Sequence, residues 1–210
     1  MATKPRKTYP PEPLTNEEAT RIIHACSRRA PTGIRNAALF TLLYRGGLRI
    51  GEALALHSKD VDQAAGTVTV LHGKGDRRRV VGLDDGAMAM LARWLDRRKA
   101  LGLNGRQPIF CTLKGEPLDD SYVRHALRRA AARAGVEKRV HPHGLRHTHA
   151  AELMAEGVPA NVIQQQLGHS SLATTSVYLD HIAPAERVAR LRARTWTVNE
   201  ESLPDHRGHG

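Results

Sequence analysis

Four separated segments of this chain carry side chains able to bind or protonate phosphate oxygens: GLRIGE at 47–52, HGKGDRRR at 72–79, HPHGLRHTHA at 141–150 and LGHSSLATTSVYL at 167–179. Taken singly they are weak signals. Arg49 follows a glycine pair, and Lys74 sits in the kind of Lys- and Gly-rich turn that hairpins use for solubility. The third segment is denser, with His141, His143, His147 and His149 crowded around Arg146. Imidazoles at such spacing are common zinc ligands. However, Pro142 precedes the helical part, so only His143 and His147, four apart, share a face. No Glu lies between them in an H-E-x-x-H arrangement, and the Arg146 guanidinium next to His147 would repel a dication. The segment therefore reads as metal-free, with structural roles for His141 and His149.

The composition points to an acidic partner. With 32 Lys and Arg against 21 Asp and Glu, the 210 residues carry a formal charge of +11. Apolar residues make up 40% of the chain, enough for one substantial core, while aromatics at 4% are too few for a base-stacking platform. No run approaches the roughly 18 apolar residues of a membrane helix, and the start MATKPRKTYPPEP lacks the apolar centre of a secretory signal. A cytoplasmic protein without membrane association is expected. Cys26 and Cys111, 85 positions apart in apolar surroundings, read as buried thiols of a reducing compartment.

The elements that must position these segments are mostly helical. Residues 1–13, basic and Pro-rich, read as a linker. Thr15 and Glu18 form a capping box for a first helix that Pro31 is expected to end, and a second helix should run from about Ile34 to Tyr44, stopping at Gly46 and Gly47. A short third helix holds Ile50, Ala53 and Leu54. TVTVL at 67–71 and RRVVGL at 78–83 flank a glycine-rich turn as a β-hairpin, and PIFC at 108–111 is expected to add a third strand. Asp84 caps the next helix, and Asp119 to Ser121 begins another that Gly135 closes. Further helices are expected near 144–156, 159–167, 171–179 and 184–196, before a polar tail at 196–210. The fold class is mainly α with a small three-stranded antiparallel sheet.

Taken together and in order, Arg49 in GLRIGE, the hairpin lysine Lys74, the H-x-L-R-H run from His143 to His147, His169 in LGH and Tyr178 nine residues later resemble the catalytic domain of the tyrosine recombinases, the phage integrase family. The resemblance spans about residues 14–195. It implies a DNA breaking and rejoining enzyme that needs no metal and no cofactor. On the family's pattern Tyr178 attacks phosphorus and forms a 3′-phosphotyrosyl bond, while Arg49 and Arg146 hold the scissile phosphate. Lys74 matches the general acid, His143 assists as acid or base, and His169 donates to a phosphate oxygen. A free phenol with a pKa near 10 is ionised in only about one molecule in 10³ at pH 7, which is why such neighbours are needed.

Other residues take supporting parts. Glu52, three residues after Arg49 on the same helical side, reads as an acid that orients the basic groups from behind. Arg77, Arg78 and Arg79 after the lysine turn, with Arg124 and Arg128 one helical turn apart, read as DNA contacts. Members of the resembled family normally carry a helical DNA-binding domain ahead of the catalytic one, whereas only the basic linker precedes Leu14 here. The expectation is therefore a fragment, a minimal recombinase, or a protein that relies on a separate DNA-binding partner. Double-stranded DNA is the expected substrate and a homotetramer assembled on it the expected working form. Type IB topoisomerase-like relaxation and a non-catalytic DNA-binding relative are the alternatives; the H-x-L-R-H and LGH motifs and the filled catalytic positions favour recombination over both.

Overall fold

The computed structural model describes residues 13–71, 78–103, 105–168 and 192. Lys74, Arg77, His169 and Tyr178 lie outside the described residues, as do the expected helix at 171–179 and, Arg192 aside, that at 184–196.

Helix α1 (Asn16–His24) starts at the expected capping box: Thr15 accepts from the Glu18 amide while Glu18 accepts from the Thr15 amide. It ends at His24, well before Pro31. That proline opens α2 (Pro31–Arg45), where its missing N–H costs nothing, so the expectation that Pro31 terminates a helix is corrected. Every α2 residue from Ala37 to Tyr44 is buried, the pattern of a helix surrounded on all sides. It packs against α4 (Asp85–Ala100) and α6 (Pro142–Ala155), while α1 lies across α2 and α5 (Asp120–Arg133). Tyr44 and Arg45 set the register of α6 on α2 by donating to the Glu152 carboxylate at 2.5 and 3.1 Å.

The sheet is antiparallel in the order β1 (Val61–Asp62), β2 (Thr67–Val70), β3 (Arg79–Gly82), with Val68 opposite Val81. Its third strand is β1, not the expected 108–111. Ile109, Phe110 and Cys111 are wholly buried, and Cys111 makes only an isolated bridge to Pro117. Their backbone groups are satisfied elsewhere. The Ile109 amide donates to the Leu56 carbonyl, the Trp94 indole N–H donates to the Ile109 carbonyl, and Arg35 donates to the Cys111 carbonyl. A buried segment needs partners for its polar groups, but nothing requires a ladder to supply them.

Asp84 and Asp119 cap α4 and α5 as expected, accepting from the amides of Ala87 and Tyr122. Helix α6 begins two residues earlier than expected because Pro142 occupies its first position and His141 caps it. Helix α7 (Ala160–Leu167) packs on β3 and α6 and closes a small cluster of Ala150, Ile163 and Leu167. Cys26 and Cys111 are free and buried. No helix among the described residues is long and apolar enough to cross a membrane.

Candidate active site

Arg49 caps the short helix α3 (Ile50–Leu54) in an extended backbone conformation, so its side chain leaves the helix axis. Its guanidinium donates to Glu52 at 2.7 Å and to the Gly168 carbonyl at 3.3 Å, and its amide donates to Glu52 at 2.9 Å. Arg79, at the start of β3, grips the same carboxylate with two donors at 2.9 and 2.7 Å. The Glu52 side chain is 8% exposed and that of Arg79 10%. Burial would raise the Glu52 pKa, but hydrogen bonds from the Arg79 side chain and the Arg49 amide, with the charges behind them, bring it down to about 2. Glu52 thus stays ionised and holds two arginines.

Arg79 was expected to face DNA with Arg78. Arg78 is exposed, but Arg79 turns inward and also donates to the Gln166 carbonyl at 3.2 Å. The Gln166 side-chain amide pairs with the backbone of Gly82, donating at 2.9 Å and accepting at 3.1 Å, and so docks α7 on the edge of β3. Gln166 was missed in the sequence.

Arg146 on α6 is 2% exposed. Its guanidinium donates to the Gly47 carbonyl, two residues before Arg49, and to the Leu167 carbonyl at 2.6 Å, two residues before His169. One buried cation therefore ties together the backbones that lead into two of the segments. Gly47 has φ 61°, and a Cβ there would lie 2.6 Å from Leu167 and 2.7 Å from the His149 ring. Gly47→Ala is expected to cost about 2 kcal/mol, from the left-handed backbone and the displaced neighbours. The checking measurement is a urea unfolding midpoint, which should fall with little change in slope.

The four histidines point to different tasks. His141 Nδ1 accepts from the Gly144 amide at 2.9 Å and caps α6. His143 and His147 meet edge to face with ring centroids 4.1 Å apart. Burial lowers the His143 pKa, and the Arg146, His141 and Arg49 charges lower it further. His149 is 4% exposed, and neither ring nitrogen has a hydrogen-bond partner among the described residues. Burial, then the Arg45 and Arg146 charges, push its pKa to about 4.

A histidine depressed in this way favours the folded state above its unfolded pKa near 6.5. Between pH 6.5 and 4 the unfolded chain binds a proton that the native one does not, so stability falls with decreasing pH, by up to about 1.4 kcal/mol per pH unit. His149→Phe should reduce that slope, leaving the smaller share of His141 and His143, and unfold no more easily at pH 7. Unfolding curves at pH 7, 6 and 5 for both chains check it; parallel losses would refute the assignment.

Arg49, Arg146, His143 and His147 line one open cavity of about 640 Å³, with Arg124, Arg139 and His141 also on its wall. Arg128 is not among the lining residues; it contacts His125 at 3.2 Å. Arg139 was missed in the sequence. The signal was present, because exposed Arg139, buried Val140 and half-buried His141 alternate in an extended run that leads to His143. Among the described residues, no group of three or more His, Cys, Asp or Glu is disposed to hold a metal ion.

Comparison with known proteins gives a consistent result. The phage integrase family domain matches residues 12–184. The tyrosine recombinase XerC of Xanthomonas campestris pv. campestris (strain B100) is 35% identical over 200 residues, covering 93% of this chain. This chain spans 60% of the length of that relative. Among solved structures, the XerA recombinase superposes with a TM-score of 0.78 at 32% identity, covering 90% of this chain and 68% of that one. The XerH site-specific recombinase bound to a palindromic difH substrate, in a post-cleavage complex, gives 0.71 at 29% identity, covering 87% and 52%.

Proposed function

The chain belongs to the phage integrase family, and from that premise we propose that it is a site-specific DNA recombinase, cutting and rejoining strands through a 3′-phosphotyrosyl intermediate in DNA integration and recombination. The observation that carries the reading is the convergence of Arg49 and Arg146 on one basic cavity with His143 and His147. Arg146 fastens the backbone two residues before His169, and Arg79, close after the turn that bears Lys74, is anchored on Glu52 beside Arg49. The flanks of all four segments are thereby drawn to one place.

In the proposed reaction the Arg49 and Arg146 guanidinium groups supply positive charge where the phosphoryl oxygens gain negative charge in the transition state. Tyr178 loses its phenolic proton, with His143 assisting, and its oxygen bonds to phosphorus. The bond to the 5′ oxygen breaks, and Lys74 protonates that oxygen as it leaves, while His169 donates to a phosphate oxygen. One phosphoester replaces another, so the broken linkage keeps its energy and a second 5′-hydroxyl can reverse the step on a new strand. The lowered pKa of His143 favours its neutral form, which can accept a proton. Residues 14–195 form the proposed catalytic unit; its substrate is double-stranded DNA, its working form a homotetramer assembled on DNA, and its setting the cytoplasm.

The test is incubation of the full chain with a pool of nicked duplexes bearing randomised cores, so that cleavage next to the nick releases a short fragment and traps the enzyme. A protein–DNA adduct that survives denaturation, with the nucleotide attached to Tyr178 by peptide mass spectrometry, is the expected result. An adduct on another residue, or DNA binding with no adduct, overturns the reading. Relaxation of supercoils without exchange between two duplexes would move the assignment to a topoisomerase.

A further inference from the structure

The cavity is larger than a single phosphate group requires. A phosphate group displaces roughly three waters, about 90 Å³, against about 640 Å³ here. Its cationic wall also divides into two groups. The charges that act on His143 are those of Arg146, His141 and Arg49, whereas those acting on His141 are Arg139 and Arg124. Arg139 and Arg124 thus line the cavity beside His141, and they come from the α5 helix and the run that leads to the α6 cap, whereas Arg49 comes from the start of α3 and Arg146 from within α6.

Among the described residues, little neutralises this second group. None of the described residues lining the cavity is acidic. Arg139 is exposed and has no hydrogen bond or ion pair among the described residues, and Arg124 has only a long 3.4 Å contact with Asp120, both side chains being at least half exposed. Three elements would have to place these side chains: Arg124 on α5, Arg139 in the extended run after it, and His141 at the cap of α6. Val140, 6% exposed, anchors that run in the core and fixes the side from which Arg139 and His141 emerge.

We propose that Arg139 and Arg124 form a second phosphate subsite in this cavity, holding a backbone phosphate next to the one between Arg49 and Arg146. The proposal rests on the DNA-cleaving reading of the site and adds its second contact. A nucleic-acid strand presents one phosphate for each 3.4 Å of helix axis, so a cavity that admits one phosphate meets its neighbour within the same volume. Binding at two adjacent phosphates fixes the direction of the strand through the site, which one clamp cannot do because a single phosphate can turn about its own axis. Arg139 and Arg124 are thus binding residues that orient the strand.

The test uses the full chain and a 20-base-pair duplex of arbitrary sequence, with two readouts that need no cleavage: affinity as a function of salt, and the nuclear magnetic resonance shifts of the His141 and His143 rings on titration. Arg139→Ala is expected to weaken binding about tenfold and to reduce the slope of log K against log salt by about one. It should abolish the DNA-induced shift at His141 and leave that at His143. Arg139→Lys, which keeps the charge, should restore the slope. An Arg139→Ala chain with the parent's salt slope, or with both histidine shifts lost equally, overturns the subsite. Absence of a Tyr178 adduct would sink the recombinase reading without touching these measurements.

Discussion

Arg146→Ala is expected to slow DNA cleavage at saturating DNA by at least about 10², equivalent to about 3 kcal/mol of barrier, while weakening DNA binding by less than about tenfold. The asymmetry follows from where the guanidinium works. In the ground state the phosphate is one of many held by the basic surface, whereas in the transition state it carries additional charge that only groups inside the cavity can meet. The structure adds a second loss. Arg146 is buried and donates to the Gly47 and Leu167 carbonyls, so its removal also loosens the segments leading into Arg49 and His169. Arg146→Lys should rescue little, because an ammonium keeps the charge but not the planar fork that spans two carbonyls. Single-turnover cleavage and equilibrium binding on the same substrate decide the matter. Equal losses in both would mean that Arg146 serves binding alone.

Glu52→Ala is expected to cost about 3 kcal/mol of folding stability at pH 7 and to impair cleavage as well. Its carboxylate accepts from Arg49 and from both terminal nitrogens of Arg79, in a place where neither the Glu52 nor the Arg79 side chain is more than 10% exposed. Removing one partner of a buried pair leaves the other charge without compensation. The pKa gives the same scale. A carboxyl held at about 2 instead of 4.5 contributes about 3 kcal/mol, fully present above pH 4.5 and lost as the pH falls from there toward 2. The parent chain should therefore lose stability in two acid windows, with His149 contributing most to the upper one and Glu52 most to the lower one. Urea unfolding of the parent and Glu52→Gln chains between pH 7 and 3 separates them. If the lower window is undiminished in Glu52→Gln, the carboxylate does not contribute to it.

Much of this architecture was readable from interactions that close within four residues. The capping box of Thr15 and Glu18, the caps at Asp84 and Asp119 and the pairing of Arg49 with Glu52 depend on short-range geometry that residue type and spacing specify directly. The helical class, the hairpin and the candidate residues Arg49, His143 and Arg146, which line one cavity, were accessible for the same reason, because each motif is local and only their order is global. Pro31 shows the limit of such signals. A proline marks a boundary, and whether it ends one helix or starts the next depends on what the chain packs against.

The packing of helices decided the rest. Arg146 meets the Gly47 carbonyl 99 residues away and the Leu167 carbonyl 21 away, and Arg79 meets Glu52 across 27. No spacing rule reaches backbone acceptors at such separations, since they become available only once α6 and α7 have settled against α2 and β3. The inward turn of Arg79, the pairing of Gln166 with Gly82 and the place of Arg139 on the cavity wall follow in the same way. The residue types state which chemistry the chain can perform, because charge, basicity and nucleophilicity belong to the side chains. Which arginine lines the cavity and which one turns inward is settled by burial and by the acceptors each finds, and these exist only in the folded chain.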